Sequence, residues 1–199
     1  MQANQGKLGG ISTAVAVTRS RDGDGEATEL LATRATRLAL RTAAAVLRSS
    51  DEAADVAQDV AIDVLGSLCK LRDPEAFDAW VHRITVRHAL RRLKRRRGAH
   101  EAEVSLVVLP EADQPTMPEN ADRDAVLAAR QALAVALATL PPRQRIALAL
   151  RYVHDLSDAE IASALGCRIG TVHALLSRGR KTLRQDTKLA ELALAFQGG

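Results

Sequence analysis

Aromatic residues make up only 2% of this 199-residue chain: one Trp, one Tyr and two Phe. The hydrophobic 47% is instead largely alanine and leucine, enough for real cores but of small aliphatic side chains. Cysteine is equally scarce. Cys69 and Cys167 stand far apart, with no CxxC spacing and no cluster among the five histidines. That excludes a disulfide scaffold and a zinc site and leaves reduced thiols as the expectation. No apolar run approaches membrane-spanning length, so membrane insertion is not expected. The segment ISTAVAV at 11–17 is too short for a signal-peptide core, and no strongly basic stretch precedes it. Nothing pairs a nucleophile with a base, gathers metal ligands or builds a glycine-rich phosphate loop. The chain is therefore expected to be cytoplasmic, without cofactor or metal, and not an enzyme.

Alternating β-branched residues are also rare, whereas Ala, Leu, Arg and Glu favour helix. The expected fold is all-α: two small helical domains joined by an acidic flexible linker, the second a helix-turn-helix. Residues 1–25, rich in Gly, Ser, Thr and Asp without periodicity, read as a disordered tail. The first domain, 26–98, starts with a helix from about Glu26 to Arg48. Ser49 and Glu52 then have capping-box spacing, opening a helix to about Lys70. Asp73 and Pro74 cap a third helix that ends near residues 97–98. The stretch 99–122 holds Glu101, Glu103, Glu111, Asp113, Glu119 and Asp122 with three prolines, and Arg123 is the first basic residue to follow. It reads as an extended acidic linker. The second domain, 123–186, has a helix to about Ala138 and another restarted by Pro141 and Pro142 that ends near His154. Residues 187–199 are a tail.

Charge is the feature that is present in excess, locally. The net charge is only +4, but WVHRITVRHALRRLKRRRG at 80–98 packs Arg83, Arg87, Arg91, Arg92, Lys94, Arg95, Arg96 and Arg97 together. No acid lies between Asp78 and Glu101. Such a run repels itself unless a polyanion neutralises it. Arg83, Arg87, Arg91 and Arg95 recur every four residues, so a helix gathers them on one stripe beside Phe77, Trp80, Val81, Ile84 and His88, which can dock on a core. An anchored basic helix is thus expected, in place of a loose charged tail. The preceding helix has the opposite character. Val56, Val60, Val64 and Leu68 define its buried face, and Asp51, Asp55, Asp59 and Asp63 form an acidic stripe that would repel phosphates.

Residues 157–184 have the layout of a helix-turn-helix. Ser157 and Glu160 form a capping box, DAEIASAL turns Ile161, Ala162 and Leu165 inward, and Gly166 stops the helix. A second helix from Gly170 buries Val172, Leu176 and Leu183. Ala162 and Gly170 are the small residues expected to allow close approach. The exposed face of that helix offers His173, Ser177, Arg178, Arg180, Lys181 and Arg184, suited to base edges and phosphates in a major groove. The competing reading is an ordinary αα-hairpin with a basic surface. The capping box, glycine turn and basic face together favour DNA binding.

The stretch ALATLPPRQRIALALRYVHDLSDAEIASALGCRIGTVHALLSRGRKTLR resembles the C-terminal DNA-binding domain of sigma-70 family factors, most of all their two-domain extracytoplasmic-function (ECF) group. DEAADVAQDVAIDVL followed by FDAWVHRITVRHALRRLKRRR resembles that group's N-terminal domain. Both domains occur in the family's order, over nearly all of 26–186. The resemblance implies that 26–98 binds core RNA polymerase and the −10 promoter element, and that 123–186 binds the −35 element. Asp55, Gln58, Asp59 and Asp63 would meet the polymerase β′ clamp helices. Arg83, Arg87, Arg91, Arg92, Lys94 and Arg95 would serve −10 binding and melting. Thr171, His173, Ser177, Arg178, Arg180, Lys181 and Arg184 would face the −35 element. Core polymerase (β′ clamp helices and β flap), promoter DNA and an anti-sigma factor are the implied partners.

Some positions depart from the family. Arg87 and Arg91 stand where an Asn and an Asp are usual, aromatics are missing at Ala61 and Leu65, and His173-Ala174-Leu175 replaces a frequent Lys-Ser-Arg. Base capture would then lean on cationic contacts and a loop pocket near 69–75. The alternative function is a stand-alone helix-turn-helix regulator, which would have no need of the first domain.

Overall fold

The computed structural model of the protein describes residues 7–8, 10–47, 49–96 and 123–186. The acidic stretch 99–122 and the tail 187–199 lie outside the described residues. Eight α-helices make up nearly all of what is described: α1 (Thr13–Arg21), α2 (Gly25–Val46), α3 (Ser50–Gly66), α4 (Phe77–Arg96), α5 (Arg123–Thr139), α6 (Pro142–Tyr152), α7 (Asp158–Leu165) and α8 (Ile169–Arg184). Two short strands, β1 (Lys7–Leu8) and β2 (Ile11–Ser12), pair antiparallel ahead of α1, with Lys7 opposite Ser12 and Leu8 opposite Ile11. The all-α expectation holds.

The N-terminal segment corrects one expectation. Residues 13–21 do not form part of a structureless tail: they are helix, with Ala16 and Val17 fully buried in the first core. Ser12 caps this helix, its Oγ accepting from the Val15 N–H at 3.2 Å. A nine-residue helix is marginal alone, so docking holds it, and that long-range contribution has no periodic signature in the sequence.

The first core collects Leu31, Ala35, Ala39 and Ala43 of α2, Ala53, Val56, Val60 and Val64 of α3, and Phe77, Val81 and Ile84 of α4. Alanines at the α2 seam let α3 lie close, which a chain this poor in aromatics requires. At the start of α3, Ser49 Oγ accepts from the Glu52 N–H at 3.3 Å. The Glu52 carboxylate itself accepts from Arg92 of α4 at 3.2 Å. A 3₁₀ turn at Leu68–Lys70 and another at Pro74–Ala76, capped by Asp73, join α3 to α4.

The second core belongs to α6, α7 and α8: Ile146, Leu148, Leu150, Ile161, Leu165, Val172 and Leu176. It also contains Val46 of α2 and Val86 and Ala89 of α4, so the two halves are packed together. Ser157 and Glu160 form the reciprocal capping box. Gly166 ends α7 with φ +60°, a left-handed position suited to glycine. Asp155 also has positive φ, +53°, and Asp is among the few other residues that tolerate it. The close approach in this half is made by Gly179, where a Cβ would lie 2.9 Å from Leu148 Cδ1. Gly170 has nothing near it.

Candidate nucleic-acid interface

The twenty residues of α4 carry three faces. At 100° per residue, Phe77, Val81 and Ile84 fall together and enter the first core, and His82, Val86 and Ala89 fall about 140° away and enter the second. The remaining side presents Arg83, Arg87, Arg91 and Lys94, all exposed. A four-residue repeat advances 40° per step, so the basic stripe winds about the helix. Arg95, also exposed, has turned onto the line of Phe77 and Ile84. Arg92 is turned differently from the rest. It is half-buried and holds Glu52 at 3.2 Å and Asp55 at 2.9 Å on α3, so its charge is spent joining two helices. His88 does the same toward Asp63 at 2.8 Å.

The loop between α3 and α4 and the basic side of α4 enclose a cavity of about 560 Å³. Its walls are Lys70, Leu71, Arg72 and Asp73 from the loop and Trp80, Arg83, Ile84 and Arg87 from α4. This is where the sequence placed a loop pocket. Arg91 and Arg95 are not in it. Trp80 stands edge-on to Phe77, with ring centroids 6.4 Å apart, so one side of the ring is anchored in the core and the other faces the cavity. The loop is tied from outside by Arg21 of α1, whose guanidinium donates to Leu68 O at 2.9 Å and to Leu71 O. The sequence offers no sign of that tie.

On α3, Asp51, Asp55, Gln58, Asp59 and Asp63 are all exposed, on a stripe beside the buried valines. Asp55 and Asp63 are engaged by Arg92 and His88. Among the described residues, Gln58 and Asp59 make no side-chain hydrogen bond. The acidic and basic helices thus neutralise one another in part along their seam and keep their unlike charges on the outer sides.

In the second half every side chain expected to face DNA is exposed: Thr171, His173, Ser177, Arg178, Arg180, Lys181 and Arg184. His173 Nε2 lies 2.8 Å from Asp158 Oδ2 at the start of α7, and Arg151 also pairs with that carboxylate. Arg143 reaches Leu165 O at 3.1 Å, fixing the end of α7. Arg168, at the N-cap of α8, makes no side-chain cap bond, so the first N–H groups of α8 remain available to a phosphate. The hydrogen bonds that fix Glu160 to the Ser157 side chain and backbone lower its pKa.

Comparison with known proteins bears on both halves. Residues 31–99 match the family model described as sigma-70 region 2, and residues 130–183 match sigma-70, region 4. The ECF RNA polymerase sigma factor SigE of Mycolicibacterium smegmatis is 35% identical over 159 residues, which are 77% of this chain and 57% of that relative. SigM of Mycobacterium tuberculosis is 32% identical, over 81% of this chain and 77% of its own length. The sigma-E factor of Escherichia coli is 28% identical over 92% of this chain and 96% of its own. Among solved structures, CnrH in complex with the cytosolic domain of CnrY superposes with a TM-score of 0.63 at 21% identity, covering 86% of this chain and 94% of that one. At these identities the superposition speaks for the fold.

Proposed function

The chain belongs to the sigma-70 family of RNA polymerase sigma factors, in its ECF group, and we propose that it binds core RNA polymerase, directs it to particular promoters and assists their melting. Sigma factors are not enzymes, and its part in initiation is recognition. The observation that carries the reading is that one chain presents two separate exposed cationic helices, α4 and α8, with an acidic helix face on α3 beside the first. A stand-alone helix-turn-helix regulator would use α8 alone.

The roles divide by charge and exposure. Gln58 and Asp59, with Asp55 and Asp63 flanking them, face the β′ clamp helices, and the second half meets the β flap. Arg83, Arg87, Arg91, Lys94 and Arg95 follow the −10 region of the promoter. Arg92, although in the same run, acts mainly as the brace between α3 and α4. The cavity at the loop receives an unstacked base against Trp80, and Arg87, one of three arginines lining it with Arg72 and Arg83, makes a forked contact there, most naturally with guanine O6 and N7. Thr171, His173, Ser177, Arg178, Arg180, Lys181 and Arg184 face the −35 element, with phosphate contacts from the cations setting register.

An anti-sigma factor is proposed as a further partner, supported by the similarity to RpoE of Bartonella quintana, solved with the anti-sigma factor NepR (TM-score 0.59, 18% identity). The test is transcription in vitro with core polymerase on genomic fragments. Promoter-specific transcripts and co-elution with core are expected. Duplex binding without co-elution would favour the stand-alone regulator.

A further inference from the structure

The face that joins the two halves is built around two histidines. His82 of α4 and His154, after α6, are both buried, and their rings meet edge to face with centroids 4.4 Å apart. His154 Nε2 lies 2.8 Å from Thr42 Oγ1 of α2, and Thr42 is itself fully buried. Two arginines cross the same seam. Arg41 donates to Val153 O at 2.7 Å, and Arg145 donates to Val46 O at 2.6 Å. Val46, Val86 and Ala89 complete the face by entering the second core.

This packing is incompatible with contacting two distant promoter elements at once. α4 packs on α7 and α7 on α8, each step about 8–10 Å between axes, so the two DNA-facing helices pass within about 20 Å of one another. Elements centred at −10 and −35 are about 25 base pairs apart, about 85 Å along the duplex at 3.4 Å per pair.

We propose that the packed arrangement is a closed, latent state held by the His82–His154 contact, which accepts only neutral imidazoles and must open before both promoter elements can be bound. The second clause rests on the sigma-factor reading; the first does not.

The charges around the pair explain why it is a latch. From α2, Arg34 and Arg41 face His82; from its own helix Asp78 does, and from α7 Glu160. The two carboxylates favour the charged ring, yet desolvation outweighs them and His82 is lowered to about 4. Burial above all lowers His154 to about 2, and the other imidazole and Arg41 act in the same direction. Among the described residues Nδ1 of His82 has no hydrogen-bond partner, so water can add one on opening. Both groups bind fewer protons closed than open. The closed state is therefore fully favoured above pH 6.5, the ordinary value, and weakens as pH falls below it, until about pH 4 for His82 and beyond that for His154. At pH 5 each histidine shifts the open-to-closed ratio roughly 30-fold.

Cys69 and Cys167 fall one in each half, the first exposed and the second partly so. A donor and an acceptor attached to them report the distance between halves in the full chain. Energy transfer is expected to be high at pH 7.5 and to fall reversibly between pH 6.5 and 4.5 with far-UV circular dichroism unchanged. His154→Gln, which keeps a neutral polar group toward Thr42, should reduce the proton number of that step from two to one. The His82→Gln/His154→Gln pair should abolish it. Transfer unchanged down to pH 5, an undiminished step in His154→Gln, or loss of helicity together with loss of transfer would overturn the latch. Adding core polymerase at pH 7.5 should lower transfer; co-elution with transfer unchanged refutes the need to open. Absence of co-elution counts against the sigma-factor reading alone and leaves the pH result standing.

Discussion

Reversing one carboxylate on α3 separates binding from folding. Asp59→Lys alters an exposed side chain that holds nothing among the described residues, so stability should move by no more than about 0.5 kcal/mol. Asp55→Lys alters a side chain on the same face that accepts from Arg92 at 2.9 Å, with 61% of its side chain exposed. An ion pair that open to water contributes about 0.2–1 kcal/mol, and the new Lys would repel Arg92, so stability falls by about 1 kcal/mol. If the face meets a basic surface of polymerase, both reversals replace an attraction by a like-charge contact. At an effective dielectric near 20, one such pair at 4 Å amounts to about 4 kcal/mol, an upper figure for a rim contact. Binding should weaken by about tenfold to a thousandfold, or about 1.4–4 kcal/mol. The assay is anisotropy titration of labelled protein with core enzyme at about 0.1 M and 1 M salt, beside urea unfolding of each variant. The difference from wild type should shrink at high salt, as the screening length drops from about 10 to 3 Å. An Asp59→Lys protein that binds core with unchanged affinity at low salt refutes the assignment of this face.

Three further outcomes follow from the geometry. Arg91→Ala with Arg95→Ala should flatten the log–log salt dependence of promoter binding by about one to two units, while Arg92→Ala should chiefly lower the urea midpoint; equal salt slopes for the two would refute the division. Arg87→Ala should lose discrimination at one promoter position by about 1–3 kcal/mol, measured on templates varied base by base, whereas a uniform loss over all templates would make it a phosphate contact. Gly179→Ala gains about 1 kcal/mol in helix propensity but drives a Cβ to 2.9 Å from Leu148, a side chain packed in the second core. Overpacking of this kind costs about 1–3 kcal/mol, so thermal unfolding should show a net loss, and an increase in Tm would show that Leu148 yields freely.

Helix positions were legible where a cap residue and a 3.6 period coincided: Asp73 with Pro74, Ser157 with Glu160, Gly166. The outward faces of α3, α4 and α8 followed from the same spacing, because charge on one side and Val or Leu on the other leave one orientation. What escaped was contact between distant segments. The α1 helix is short and held by docking. Arg21 reaches carbonyls some fifty residues away, and Arg92 cannot be told from its neighbours by composition. The reading of 26–98 and 123–186 as separate units missed that Val86 and Ala89 serve the second half. Their spacing from His82 was a helical stripe in plain view, masked by the arginines between them.

That masked stripe explains why α4 carries so little freedom. A helix has about 360° to distribute, and here three faces each take roughly a third: Phe77, Val81 and Ile84 to one core, His82, Val86 and Ala89 to the other, the arginines to solvent. Phe77 is one of the chain's few rings, so the volume at each contact comes from Val, Ile and Ala, and a one-residue slip would put an arginine into a core. The His82 face is the only one of the three whose partner lies in the other half. Opening would expose Val86 and Ala89 but leave the Phe77 face intact, so the first half keeps its fold when the second departs. The polar atoms at the seam, Thr42 Oγ1, Val46 O and Val153 O, would all find water on separation. An interface of small apolar contacts and re-solvatable hydrogen bonds is one that can part without unfolding either side, which is what the proposed opening requires of two helices that would travel from about 20 Å to about 85 Å apart.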